Sequence, residues 1–283
     1  MADLLSGLAS LGLGGLQGME VFEEEKKPEA EGKTATPQVE EKDIIYDRGY
    51  ECHLCDKKIT AKTVKAGKCK LDHTDLDMRP VYEGIDVLKY DVVVCPYCGH
   101  AALTRYFKPL TSMQIRLIKE NISQNFRMQM VEEETINYET ALQRYQLALA
   151  NAIVKKARAS EKAYICLKTG WLLRGWQESL TESPEDQQKK AELEAQEKEY
   201  LKNAFEGFVT AVQSENFPMC GMDEITVDYL MAVLAMKFEK YDVASKLVGT
   251  IITSSAANPR IKDKTRDLKD MIIEEIKKKK EGC

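Results

Sequence analysis

Histidine is scarce in this chain: there are three in 283 residues, and all three fall between positions 53 and 100. Any acid–base chemistry run by imidazole would therefore have to occur in that stretch, because histidine is the side chain whose ordinary charge change sits near neutral pH. No Ser-His-Asp arrangement, phosphate-cradling glycine loop or open metal site is legible in the sequence, so no catalytic residues are assigned. Long apolar runs are also missing. None approaches the roughly 18 residues that span a bilayer, and the start, Met1-Ala2-Asp3-Leu4, lacks the positive region of a secretory signal. These absences predict a cytosolic protein without a transmembrane segment. Nor is there a global excess of positive charge. The net charge of −5 is matched by one segment, Glu20 to Asp43, with nine acidic and four basic residues. The rest is balanced and creates no overall field toward nucleic acid.

What is present is a composition of 43% apolar and 31% charged residues, that of a globular protein with room for two domains. Eight cysteines are present, but in a reducing compartment paired Cys-x-x-Cys motifs are metal sites more often than disulfides. No structural disulfide is expected.

Four segments follow from the pattern. Residues 1–22 place Leu4, Leu8 and Leu11 at helical spacing but carry five glycines, each costing a helix about 1 kcal/mol relative to alanine. The segment reads as a flexible tail or one that docks on its own body, with a peripheral membrane or partner contact as the other reading. Residues 23–43 are rich in Glu, Lys, Pro and Thr, have almost nothing to bury, and read as a disordered acidic linker. Residues 44–110 carry short β-type runs, Ile44-Ile45-Tyr46 and Tyr90-Asp91-Val92-Val93-Val94, separated by turn residues.

From residue 111 to 283 the periodicity is helical. Thr111-Ser112-Met113-Gln114 has the spacing of a capping box, with Ile115, Ile118, Ile122 and Phe126 on one stripe. Ser183-Pro184 pairs a capping serine with proline at the first helical position, and Asn258-Pro259 starts a last helix. The pair from Val227 to Ser254 looks like a degenerate tetratricopeptide repeat, with Ala232 and Ala244 at small-residue positions. A weaker copy has Gly170 and Trp171 facing Ala204, Phe208 and Ala211. The expected fold is mainly α, a small zinc-ribbon-like β module followed by antiparallel helical hairpins; an irregular helical bundle fits the same pattern.

Cys52-His53-Leu54-Cys55 and Cys95-Pro96-Tyr97-Cys98-Gly99 are two hooks, each able to aim two thiolates at one ion. Together they supply the four-sulfur tetrahedral set of a closed structural zinc site. Gly99 and Asp56 suit the left-handed conformation that follows such a hook. The hooks are separated by 39 residues, against about 15 to 20 in compact versions, which requires an inserted β excursion. A redox Cys-x-x-Cys reading lacks the βαβ context and leaves two copies to explain. A second metal site at Cys69 and His73 would need ligands that the sequence does not identify.

Lys57, Lys58, Lys62, Lys65, Lys68 and Lys70 occur with no acidic residue among them, a candidate basic face for phosphates. Against it, the 44–110 segment holds eleven basic and nine acidic residues, and four thiolates around one zinc add about −2. Tyr46, Tyr50, Tyr82, Tyr90 and Tyr97 offer stacking faces, although tyrosine in short strands serves cross-strand packing at least as well.

Three strings carry a resemblance: Cys52-x-x-Cys55, Arg79-Pro80-Val81-Tyr82-Glu83-Gly84, and Tyr90 through Cys95-Pro96-Tyr97-Cys98-Gly99-His100-Ala101-Ala102. The chain resembles an uncharacterised bacterial family known as domain of unknown function 2225. The resemblance implies a zinc-ribbon-like module followed by tetratricopeptide-like helices, with the four cysteines as ligands, and brings no reaction. Two functional expectations stand together: a zinc-stabilised scaffold for a protein partner, and a nucleic-acid-binding protein that uses the lysine-rich face.

Overall fold

The structure, a computed structural model, describes residues 40–127 and 134–281, so segment 1–22 and most of the predicted linker lie outside the described residues. It is mainly α. A helical turn α1 (Glu41–Ile44) leads into three two-stranded antiparallel sheets, β1 (Ile45–Glu51) with β2 (Lys58–Val64), β3 (Leu71–Thr74) with β4 (Pro80–Tyr82), and β5 (Val92–Val94) with β6 (Ala101–Leu103). Then come α2 (Ser112–Ile118), α3 (Tyr138–Val154), α4 (Ala159–Ser179), α5 (Pro184–Ser214), α6 (Glu224–Lys237), α7 (Tyr241–Thr253) and α8 (Pro259–Glu281). No helix among the described residues is long and apolar enough to cross a membrane.

The helix starts follow their local chemistry. Thr111 and Gln114 form the reciprocal capping box of α2, and Ser183 accepts from the Asp186 amide with Pro184 in the first turn of α5. Asn137, Asp223 and Asn258 cap α3, α6 and α8 in the same way. The strands are shorter than the apolar runs suggest. Ile44 ends α1, and Tyr90 closes a 3-10 turn before β5 begins at Val92. The end of the segment read as linker is ordered: the Glu41 carboxylate accepts from the Tyr90 hydroxyl at 2.6 Å and pairs with Lys89.

α4 and α5 form the most extensive helix pair, and two glycines set their approach. A Cβ on Gly170 would lie 2.7 Å from Leu201, and one on Gly207 would lie 2.8 Å from the Ala163 Cβ. α6 and α7 make the next hairpin, with Ala232 and Ala244 fully buried; α8 packs on α7, and its Leu268 and Ile272 are buried. The β region is not separate from these helices. Ile44, Ile85, Leu88, Tyr90, Val92 and Leu103 share one core with Tyr145, Leu167 and Leu172. From Val39 onward the chain clusters as one compact unit.

Candidate metal centre

Each hook is a tight turn closed by the same pair of backbone bonds. The Asp56 amide donates to the Cys52 carbonyl (2.8 Å) and the Cys52 amide to Lys57 (3.0 Å). Likewise the Gly99 amide donates to Cys95 (3.0 Å) and the Cys95 amide to His100 (2.8 Å). Asp56 at φ 58° and Gly99 at φ 74° take the left-handed conformation that this turn requires. The turns bring the amides of Leu54 and Cys55 to the Cys52 sulfur, and those of Tyr97 and Cys98 to the Cys95 sulfur. Thiolates are thus met by oriented N–H dipoles.

The four sulfurs lie within 4.8 Å of one another, with Cys52 to Cys98 and Cys55 to Cys95 both at 3.6 Å. It is the one group of three or more potential metal-ligating side chains among the described residues, and it can hold a metal ion. Four soft donors in a closed cluster fit zinc chemistry. Cys52 and Cys95 are fully buried, in a small core with Leu54, Ile59, Val93, Ala102, Phe107 and Ile118.

The metal-free electrostatics point the same way. Cys95 is pulled down to about 2 because Cys52 and Cys98 donate to it, and Cys52 is pushed up to about 12 by its bond to Cys95. The first thiolate thus opposes ionisation of its neighbours until a cation arrives. His100 is fully buried, its Nδ1 is 3.8 Å from the Cys52 sulfur, and its ring stacks on Phe107 at 4.8 Å. Burial first, then Lys155, lower it to about 4, so the ring is neutral.

The second hook is fastened to the helices. Asn151 on α3 donates to the Gly99 carbonyl at 2.9 Å, and Ser123 donates to the Cys98 carbonyl at 2.7 Å. A π-helical turn after α2, Lys119–Ser123, carries Ile122 and Phe126 over Gly99, where a Cβ would lie 2.6 Å from the Phe126 ring.

The six lysines are distributed among separate partners. Lys62 pairs with Asp47 (3.4 Å), Lys70 pairs with Glu83 (2.6 Å), and Lys65 donates to the Asp43 carbonyl (3.1 Å). Lys68 is exposed. Lys57 lies 4.2 Å over the ring of exposed Tyr97, and Lys58 lines an open groove of about 570 Å³ with Tyr50 and Tyr97. Cys69 donates to the Lys65 carbonyl and His73 pairs with Asp72 and Asp75; neither belongs to a metal-ligating group among the described residues. His53 lies tilted toward Phe107. The seven described cysteines are all free thiols.

Sequence reasoning missed a second polar centre. The β excursion between the hooks folds as the β3–β4 hairpin, and its Asp75 and Asp77 meet Arg174 of α4 at 2.9 and 2.7 Å. Arg174 also pairs with Glu197 of α5 at 2.8 Å, and Glu197 with Lys237 of α6 at 2.9 Å. Arg79, 4% exposed, adds Asp75 and Glu178. Arg79, Asp77 and Glu197 are nearly sealed from water and persist as charges only when compensated, and here both signs interlock across three helices and the hairpin.

With the hooks and the excursion placed, the comparison with known families is decisive. The model of a family described as "Uncharacterized protein conserved in bacteria (DUF2225)" matches residues 45–272. The chain belongs to this family. The DUF2225 match runs from β1 into α8, so it takes in both hooks, the excursion and the helices packed on them. No curated protein and no solved structure matches the chain.

Proposed function

We propose that Cys52, Cys55, Cys95 and Cys98 bind one structural zinc ion in a zinc-ribbon-like module, and that this member of DUF2225 is a cytosolic scaffold for a protein partner. The observation that carries the reading is the attachment of the closed four-thiolate hook to α3 through Asn151 and to the α2 turn through Ser123. A metal held there stiffens the joint between the β region and the helices rather than meeting a substrate. The helical hairpins, read as tetratricopeptide-like, supply the partner surface. Its support is a mainly apolar groove of about 350 Å³ between α3, α4 and α5, lined by Leu149, Ile153, Cys166 and Tyr200. Ile153 is 57% exposed there, and Lys162 and Glu199 also line the groove.

The test is to isolate the protein from its own cells and measure its intact mass under native conditions, with and without Ile153→Asp. A zinc-loaded chain that carries a second protein, lost in the variant while zinc stays, supports the scaffold. Co-purifying nucleic acid would favour the second reading, for which Lys57 and Lys58 beside exposed Tyr97 are the supporting observation. On that reading binding falls steeply with salt and disappears when Lys57, Lys58 and Lys62 are reversed to glutamate.

A further inference from the structure

Away from the thiolates, three parts of the chain enclose a polar pocket of about 320 Å³. They are the turn after β6 with Arg105, Tyr106 and Lys108, the start of α4 with Arg158, Ser160 and Glu161, and the α5–α6 loop from Glu215 to Gly221.

The charges there do not cancel. Both carboxylates are engaged: Glu161 is held by buried Lys155 at 2.7 Å, and Glu215 accepts from the Ser160 amide at 3.0 Å and from its hydroxyl, capping α4. Arg105, Lys108 and Arg158 have no carboxylate within ion-pair distance among the described residues. With Glu161 offset by Lys155, the three cations face one remaining carboxylate, Glu215, whose donors are neutral, and a surplus of two positive charges is left on one concave polar surface.

One of them is fixed in place. Arg105 donates to the Cys220 carbonyl and lies 5.3 Å over the Tyr164 ring. The loop is shaped around it: Gly221 sits at φ 76°, and a Cβ there would lie 2.6 Å from Arg105 Nη2. Arg105 is exposed, but so anchored it has less freedom to lose on binding than an untethered arginine, which favours recognition of an oxyanion.

We propose that this pocket binds a phosphate group, either free or as the ester of a small molecule. A surplus of two positive charges is matched by a phosphate dianion and not by a single carboxylate. The volume, against about 30 Å³ for one water in the liquid, leaves room for the phosphoryl group and a substituent. This inference is independent of the zinc reading and of the protein partner.

The probe is inorganic phosphate, titrated into the full-length, metal-loaded chain at low ionic strength and followed by calorimetry, with chloride as control. Saturable binding of one phosphate per chain is expected, with affinity reduced by about tenfold in Arg158→Gln and again in Arg105→Lys, which keeps the charge but loses the planar fork. Arg158 is exposed, so its variant should keep the metal content and melting midpoint of the parent, and both are measured alongside. No binding up to about 10 mM phosphate, or equal affinity in the parent and Arg158→Gln, overturns the proposal.

Discussion

The side-chain amide of Asn151 donates to the carbonyl of Gly99 at 2.9 Å, joining the last turn of α3 to the turn of a cysteine hook 52 residues away. Asn151 is fully buried and also bonds the Leu147 carbonyl, so the contact is part of the core. Through it, a change in the order of the hook would reach α3.

Asn151→Ala should cost about 1–3 kcal/mol, because the buried Gly99 carbonyl is left without its donor. Urea denaturation measures this. Zinc content should stay at that of the parent, since no ligand is touched; an unchanged midpoint would show that the hook is not fastened to α3.

Arg174→Ala should be more damaging, about 3–5 kcal/mol, because Asp77 and Glu197 are buried at 5% and 7% exposure and lose their shared partner. Arg174→Lys should recover only part, since one ammonium cannot reproduce the fork that reaches Asp75, Asp77 and Glu197. Thermal melts of the three chains rank them.

The same network sets the acid limb of stability. Burial alone pushes Glu197 up, but Arg174 and Lys237 outweigh it and hold the carboxyl below its ordinary 4.5; Arg79 and Arg174 do the same for Asp75, below 3.8. A lowered folded pKa contributes stability above the unfolded value, and that stability is lost as pH falls through the folded one. Asp86, raised by burial, works in the opposite sense. Stability should therefore fall below about pH 4.5, and Glu197→Gln should flatten that slope while lowering stability at neutral pH. Denaturant midpoints from pH 3 to pH 7 (roughly the range where carboxylates titrate) decide it.

Gly207→Ala should destabilise by about 1–3 kcal/mol despite alanine's better helix propensity, because its Cβ would meet the Ala163 Cβ at 2.8 Å. Gly249→Ala on α7, where nothing lies within 4 Å, should be neutral or stabilising. Melting midpoints that move the same way in both would remove close approach as the reason for Gly207.

The metal hooks were legible because their chemistry is local: the spacing of Cys52 to Cys55 and of Cys95 to Cys98 encodes a turn, and Gly99 and Asp56 its exit. The caps at Thr111, Ser183 and Asn258 were legible for the same reason. The Arg174 centre was not, because its partners on the hairpin, Asp75 and Asp77, stand 99 and 97 residues away in sequence and share no periodicity with it. Counting Asp75 and Asp77 only against nearby lysines concealed that they face a helix. The shared core was hidden likewise, since the continuous apolar runs of β5 and β6 do not say which element covers them. Their full burial, at 3% or less for Val92, Val93, Ala101, Ala102 and Leu103, is the trace of helices packed above.

The most direct test measures zinc per chain by elemental analysis, then follows helical circular dichroism of α3–α8 and the melting midpoint as a strong chelator removes the metal, alongside Cys95→Ser. The account predicts one zinc per chain in the parent, none firmly held in Cys95→Ser, and a fall in midpoint that includes the helices. A chain without zinc, or one whose helices melt at the same temperature after the metal is gone, would contradict it.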